Sequence, residues 1–170
     1  MCKFASFVLT KDKVFWLPDS ESHEDIVGRH GLHADGARGP NILRVEIVPA
    51  DSLTDLDSWV YHIDQDDRPE WFDADFDESR VRVALPVKLT ALKTLNLSGT
   101  QVKDIPATLT ALETLDLRDT QVKDIPATLT ALKYLYLSGT QVKDIPATLT
   151  ALKRLVADPA VIAAWKRGKR

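Results

Sequence analysis

Residues 89–148 are one twenty-residue unit written three times: LTALKTLNLSGTQVKDIPAT, LTALETLDLRDTQVKDIPAT and LTALKYLYLSGTQVKDIPAT. Fifteen of the twenty positions match in all three copies. Units this alike must fold alike, and none can bury its apolar side without a neighbour. In the first copy the apolar framework is Leu92, Leu95, Leu97, Thr100 and Val102, spaced Leu-x-x-Leu-x-Leu-x-x-Thr-x-Val. Leu95 and Leu97 alternate with Thr94 and Asn96, so the leucines share one side of a short strand. Consecutive copies then stack as a parallel sheet. Ile105 fills the far side, and Pro106, lacking an N–H, disfavours helix there.

This spacing resembles the leucine-rich repeat family, whose consensus is Leu-x-x-Leu-x-Leu-x-x-Asn/Cys-x-Leu. The resemblance runs from about Leu85 to Leu155 and is to short units of about twenty residues, of bacterial type. It implies a solenoid whose parallel sheet lines a concave face and whose partner lies along that face. In the family an asparagine amide bonds neighbouring backbone along the stack. Thr100, Thr120 and Thr140 stand there instead, and their hydroxyls predict a thinner ladder of the same kind.

The ends depart from the period. ALPVKLTAL at 84–92 echoes DIPATLTAL, so Leu85 and Pro86 read as the start of a half-repeat. Residues 149–157 begin a fourth repeat, and Asp158-Pro159 starts a helix over 159–167. Val161, Ile162 and Trp165 share one face of it, which predicts a cap with Trp165 sealing the last layer.

Five columns vary between copies: Lys93/Glu113/Lys133, Thr94/Thr114/Tyr134, Asn96/Asp116/Tyr136, Ser98/Arg118/Ser138 and Gly99/Asp119/Gly139. All lie in or just after the strand, among the non-leucine positions. Convex positions such as Gln101, Lys103, Asp104, Thr108 and Thr110 also read as exposed, yet none of them varies. Confined variation marks the concave strip as the candidate partner-binding surface. Its residues are Lys93, Thr94, Asn96, Glu113, Asp116, Arg118, Asp119, Lys133, Tyr134, Tyr136 and, from the partial repeat, Arg154. Paired tyrosines beside an arginine are side chains typical of binding hot spots.

Residues 1–84 read as an acidic α+β domain that caps the solenoid. FASFVL and VFWL form a hairpin, and Ser22 caps a short helix that ends near Gly31. Ile42–Val48 and Trp59–Ile63 read as strands, and a helix over PEWFDADFDESRVRVAL presents Phe72, Phe76 and Val83 on one side. Residues 1–86 carry 18 acids and 9 bases, and residues 87–170 carry 7 acids and 13 bases. Such asymmetry fits a domain boundary.

Chemistry has few footholds here. His30-x-x-His33 with His23 or Asp25 is a weak metal candidate that straddles a helix end. Asp73, Asp75 and Asp77 start like a calcium loop, but Glu78 replaces its glycine and Ala84 its closing glutamate. Cys2, the only cysteine, offers no disulfide and reads as an idle thiol in a reducing, cytoplasmic setting. The loop HADGARGPN lacks the spacing of phosphate-binding loops. No apolar run reaches the roughly 18 residues of a membrane span.

The reading is an α+β N-terminal domain (1–84) followed by a short repeat solenoid with little or no convex helix and a C-terminal capping helix. The repeats are 89–108, 109–128, 129–148 and a partial 149–157. Function is a non-catalytic protein–protein interaction module, without cofactor, monomeric or weakly homo-oligomeric. Alternatives are an enzymatic or metal-dependent activity in residues 1–84 targeted by the repeats, nucleic-acid binding through Lys166, Arg167, Lys169 and Arg170, and self-association.

Overall fold

The computed structural model describes residues 5–32, 41–49, 52–63 and 68–168. The chain falls into two compact units, one of Met1–Val48 with Trp59–Leu89, the other of Pro49–Ser58 with Thr90–Arg170. The sequence boundary at residue 84 places 49–58 on the opposite side of that division.

The first unit holds an antiparallel sheet of β1 (Ala5–Leu9), β2 (Val14–Phe15), β3 (Leu43–Val48) and β4 (Val60–Ile63), in the order β2-β1-β3-β4. The hairpin read from FASFVL and VFWL is present, with Leu9 opposite Val14. Strand β3 alternates buried and half-buried residues, as its Leu-Arg-Val-Glu-Ile-Val pattern requires. Helix α1 (His23–Arg29) starts where Ser22 Oγ accepts the Asp25 N–H, and Gly31 beyond its end takes φ +65°. Ile26 and Val27 of α1 bury against Val8, Leu17 and Ile42.

Helix α2 (Ala74–Ala91) corrects two expectations. Its buried residues are Asp77, Val81, Leu85, Lys88 and Leu89, while Phe76 is 59% and Val83 77% exposed. The buried face is therefore not the one carrying Phe72, Phe76 and Val83. Two of its five inward residues are charged, which hides the true stripe from a hydrophobic pattern. Each is paired: Asp77 with Arg80 at 2.7 Å and Lys88 with Glu21 at 3.0 Å. The second correction concerns 84–92. The helix continues through Pro86 to Ala91, so Leu85 and Pro86 do not begin a half-repeat. Burial of Leu85 and Leu89 on either side of the proline offsets its lost hydrogen bond.

In the second unit, β5 (Thr94–Asn96), β6 (Thr114–Asp116), β7 (Tyr134–Tyr136) and β8 (Arg154–Val156) form a parallel sheet in chain order. Register advances by one unit per strand, so Leu95, Leu115, Leu135 and Leu155 align. Leu92, Leu97, Val102, Ile105 and their counterparts in the second copy are buried beneath it. The connections contain turns and no helix. Leu109 N–H bonds Pro106 O at 3.3 Å and Leu112 N–H bonds Leu109 O at 3.1 Å, and the next copy repeats both.

The threonine ladder differs from expectation. Thr100, Thr120 and Thr140 donate their hydroxyls to Leu97, Leu117 and Leu137 carbonyls of their own repeat, at 2.7–2.8 Å. A hydroxyl on a two-atom stem reaches the carbonyl three residues back and closes a local turn. Cross-repeat bonds come from elsewhere. Thr128 and Thr148 hydroxyls donate to Ala107 and Ala127 carbonyls at 2.7 and 2.6 Å, and Gln121 Nε2 donates to Gln101 Oε1 at 2.5 Å. Some of the unvarying side chains outside the sheet are thus structural.

Asp104 of the first repeat is gripped by residues 52–54. Its carboxylate accepts from Leu53 N–H at 2.9 Å, Ser52 Oγ at 3.0 Å and Thr54 Oγ1 at 3.3 Å. Leu53 beside them is buried. Helix α3 (Pro159–Gly168) closes the chain, with Val161 and Ile162 N–H groups on the Asp158 carbonyl. Val161 is buried and Trp165 half-buried.

Candidate functional site

Residues flanking the aligned leucines point away from the core and form two columns across the sheet. One is Thr94, Thr114, Tyr134 and Arg154; the other is Asn96, Asp116, Tyr136 and Val156. A third, one residue before each strand, is Lys93, Glu113, Lys133 and Lys153. The parallel register thus brings nine of the eleven expected partner-binding residues into adjacent columns, with Arg118 reaching back onto them and Asp119 in the turn after β6.

Many of these side chains are committed to one another. Lys133 Nζ meets Glu113 Oε2 at 2.5 Å. That hydrogen bond holds the Glu113 carboxyl below the usual range, and Lys93 and Lys153 add to the pull. Arg118 Nη2 meets Asp116 Oδ2 at 2.6 Å, which raises the guanidinium's pKa further. The Arg118 and Arg154 guanidinium carbons lie 5.8 and 6.0 Å from the Tyr136 ring centre, so one ring orders two cations. Tyr134 is 39% exposed, and Lys93, Thr94 and Arg154 are exposed.

Two columns also carry a structural duty that spacing alone did not reveal. Asn96 Oδ1 accepts the Ser98 N–H at 3.0 Å and Asp116 Oδ1 accepts the Arg118 N–H at 3.1 Å. These Asx turns bend the chain out of the strand. Tyr136 has no such acceptor. Asp119 takes φ +57° where the other copies have Gly99 and Gly139 at +72° and +74°.

The described histidines, His23, His30 and His62, do not converge on one site. His23 is buried with Nε2 3.0 Å from the Val45 carbonyl. His30 has Nε2 3.4 Å from Trp16 O and its ring 5.0 Å from Phe15. His62 is exposed on β4, opposite Glu46. His33, Cys2, Lys169, Arg170 and most of the loop HADGARGPN lie outside the described residues. Among the described residues no three His, Cys, Asp or Glu side chains converge as for a metal. Asp73 and Asp77 serve the start of α2: Asp73 Oδ1 accepts the Phe76 N–H at 2.9 Å and Asp77 Oδ2 the Asp73 N–H at 3.0 Å.

Sequence reasoning missed the pair Glu21–Lys88 in the first unit. Lys88 is fully buried, with Nζ 3.1 Å from the Leu17 carbonyl and within 5.5 and 5.8 Å of the Phe7 and Trp16 ring centres. Glu21 Oε2 also accepts the Ser6 N–H at 2.8 Å. Burial pushes the Glu21 carboxyl up to about 7, against the pull of Lys88, and pushes the lysine down. A lysine in PVKLTAL carries no signal that it is buried.

No helix among the described residues is long and apolar enough to cross a membrane. Residues 90–129, which contain β5 and β6, match the family model described as Leucine Rich repeats (2 copies). No curated protein matched the chain.

Proposed function

We propose that the leucine-rich repeats make this chain a non-catalytic protein-interaction module. Its partner lies on the solvent face of β5–β8, read as the concave side of a short solenoid. The observation that carries this is where the variation falls: on the non-leucine positions in and beside the strands, where Lys93, Thr94, Arg118 and Tyr134 are exposed although Asp116 is buried. The leucine framework is fixed in all three copies, while the differences fall on one face and its margin. Three spacings of about 4.8 Å make the strip about 14 Å across, which suits a small footprint. The structural duties of Gln101, Asp104 and the Thr128 column account for part of the convex invariance. They leave the placement of Tyr134 and Arg154 unexplained by folding. A reducing, cytoplasmic setting and a monomeric or weakly associating chain belong to the same reading.

The test is affinity capture from a lysate of the source organism, using the full chain and Tyr134→Ala/Tyr136→Ala. A specific protein retained by the first and lost from the second, with unchanged thermal stability, is the expected result. Equal retention by both contradicts the assignment of the face.

A further inference from the structure

The charges on this face are unevenly matched. Its anions are Glu113, Asp116 and Asp119; its cations are Lys93, Arg118, Lys133, Lys153 and Arg154. Lys133 and Arg118 are taken by Glu113 and Asp116. Among the described residues Lys153 and Arg154 form no ion pair with a carboxylate, and both are exposed at the β8 end. Arg154 is ordered by the Tyr136 ring and aligned in register with Tyr134. Two open cations therefore adjoin an exposed aromatic surface.

We propose that Lys153, Arg154 and Tyr134 receive a short acidic linear segment of a protein partner, its carboxylates on the cations and an adjacent apolar side chain over Tyr134. This rests on the interaction reading above and adds the partner's chemistry. An ordered guanidinium loses little freedom on pairing with a carboxylate. A strip about 14 Å across holds about four extended residues. A nucleic acid fits less well, because a continuous phosphate backbone would run past Glu113, Asp116 and the exposed Asp119.

The experiment uses rhodamine-labelled octapeptides on one Gly/Leu framework, carrying Glu, Gln or Lys at the same positions, and a single-stranded DNA of similar length. Anisotropy with the full chain should show the Glu peptide binding at least about tenfold tighter than the Gln peptide, and weakening as salt rises from about 50 to about 300 mM. Lys153→Ala/Arg154→Ala should erase that preference. Lys123→Ala/Lys143→Ala, an equal charge change outside the sheet, should keep it. Equal affinity for Glu and Gln peptides, equal loss in both double variants, or tighter Lys153- and Arg154-dependent binding of the DNA overturns the proposal. So does self-association abolished by Lys153→Ala/Arg154→Ala, which would make a second copy the occupant. If the Glu preference is absent while Tyr134→Ala/Tyr136→Ala still loses lysate capture, the acidic inference alone falls. If both are absent, the interaction reading falls with it.

Discussion

The carboxylate of Asp119 occupies the space that a Cβ on Gly139 would need. Gly139 is thus coupled to Asp119 of the preceding repeat, whose carboxylate must shift if residue 139 carries a side chain. Gly139→Ala meets both that carboxylate and the penalty of φ +74°, whereas Gly99→Ala at φ +72° has open space around it. Gly99→Ala should cost about 1 kcal/mol by backbone strain alone. Gly139→Ala should cost more, and Asp119→Gly should remove the difference. Urea unfolding of the three variants and the Asp119→Gly/Gly139→Ala double variant reads the coupling.

The hydroxyl of Thr120 is buried and holds the Leu117 carbonyl at 2.7 Å. Thr120→Val removes this bond, leaves the Leu117 carbonyl with the residue-120 N–H at 3.2 Å, and should cost about 1 kcal/mol. Thr128→Val removes a bond at an exposed residue and should cost less than about 1 kcal/mol. Denaturant midpoints of the two variants decide the order.

The Glu21–Lys88 pair makes stability depend on pH. The folded-state pKa of Glu21 is raised from 4.5 to about 7, so the folded chain keeps a proton that the unfolded chain releases in that interval. Its contribution is fully present below 4.5 and is lost as pH rises through about 7. The lowered pKa of Lys88 acts in the opposite sense nearer its ordinary value of 10.5. Glu21→Gln should flatten the decline across the lower window. Lys88→Met removes a cation that restrains the carboxyl, and should steepen it. Unfolding free energies measured across both limits should show this order of slopes.

The repeats were legible because identical units leave one solution, a parallel register in steps of twenty residues. The hairpin, the Ser22 cap and the Asp158-Pro159 helix start were legible because each depends on its own few residues. Helix α2 was misread where tertiary pairing decides. Asp77 and Lys88 face inward as partners of Arg80 and Glu21, and residues 89–91 end a helix although the same letters lie in a turn segment at 109–111. At the candidate site, the columns followed from alternation. The Arg118–Tyr136–Arg154 stack did not, since it depends on how long side chains lean across strands.

Once a partner is captured, calorimetric titration of it into three chains of matched thermal stability bears most directly on the solvent face of β5–β8. The chains are the wild type, Tyr134→Ala/Arg154→Ala on the sheet, and Lys123→Ala/Thr110→Ala outside it. Affinity should fall at least about tenfold for the sheet variant and stay within about twofold for the other. Equal affinity for all three chains, or a greater loss in the variant outside the sheet, would contradict the placement of the binding surface.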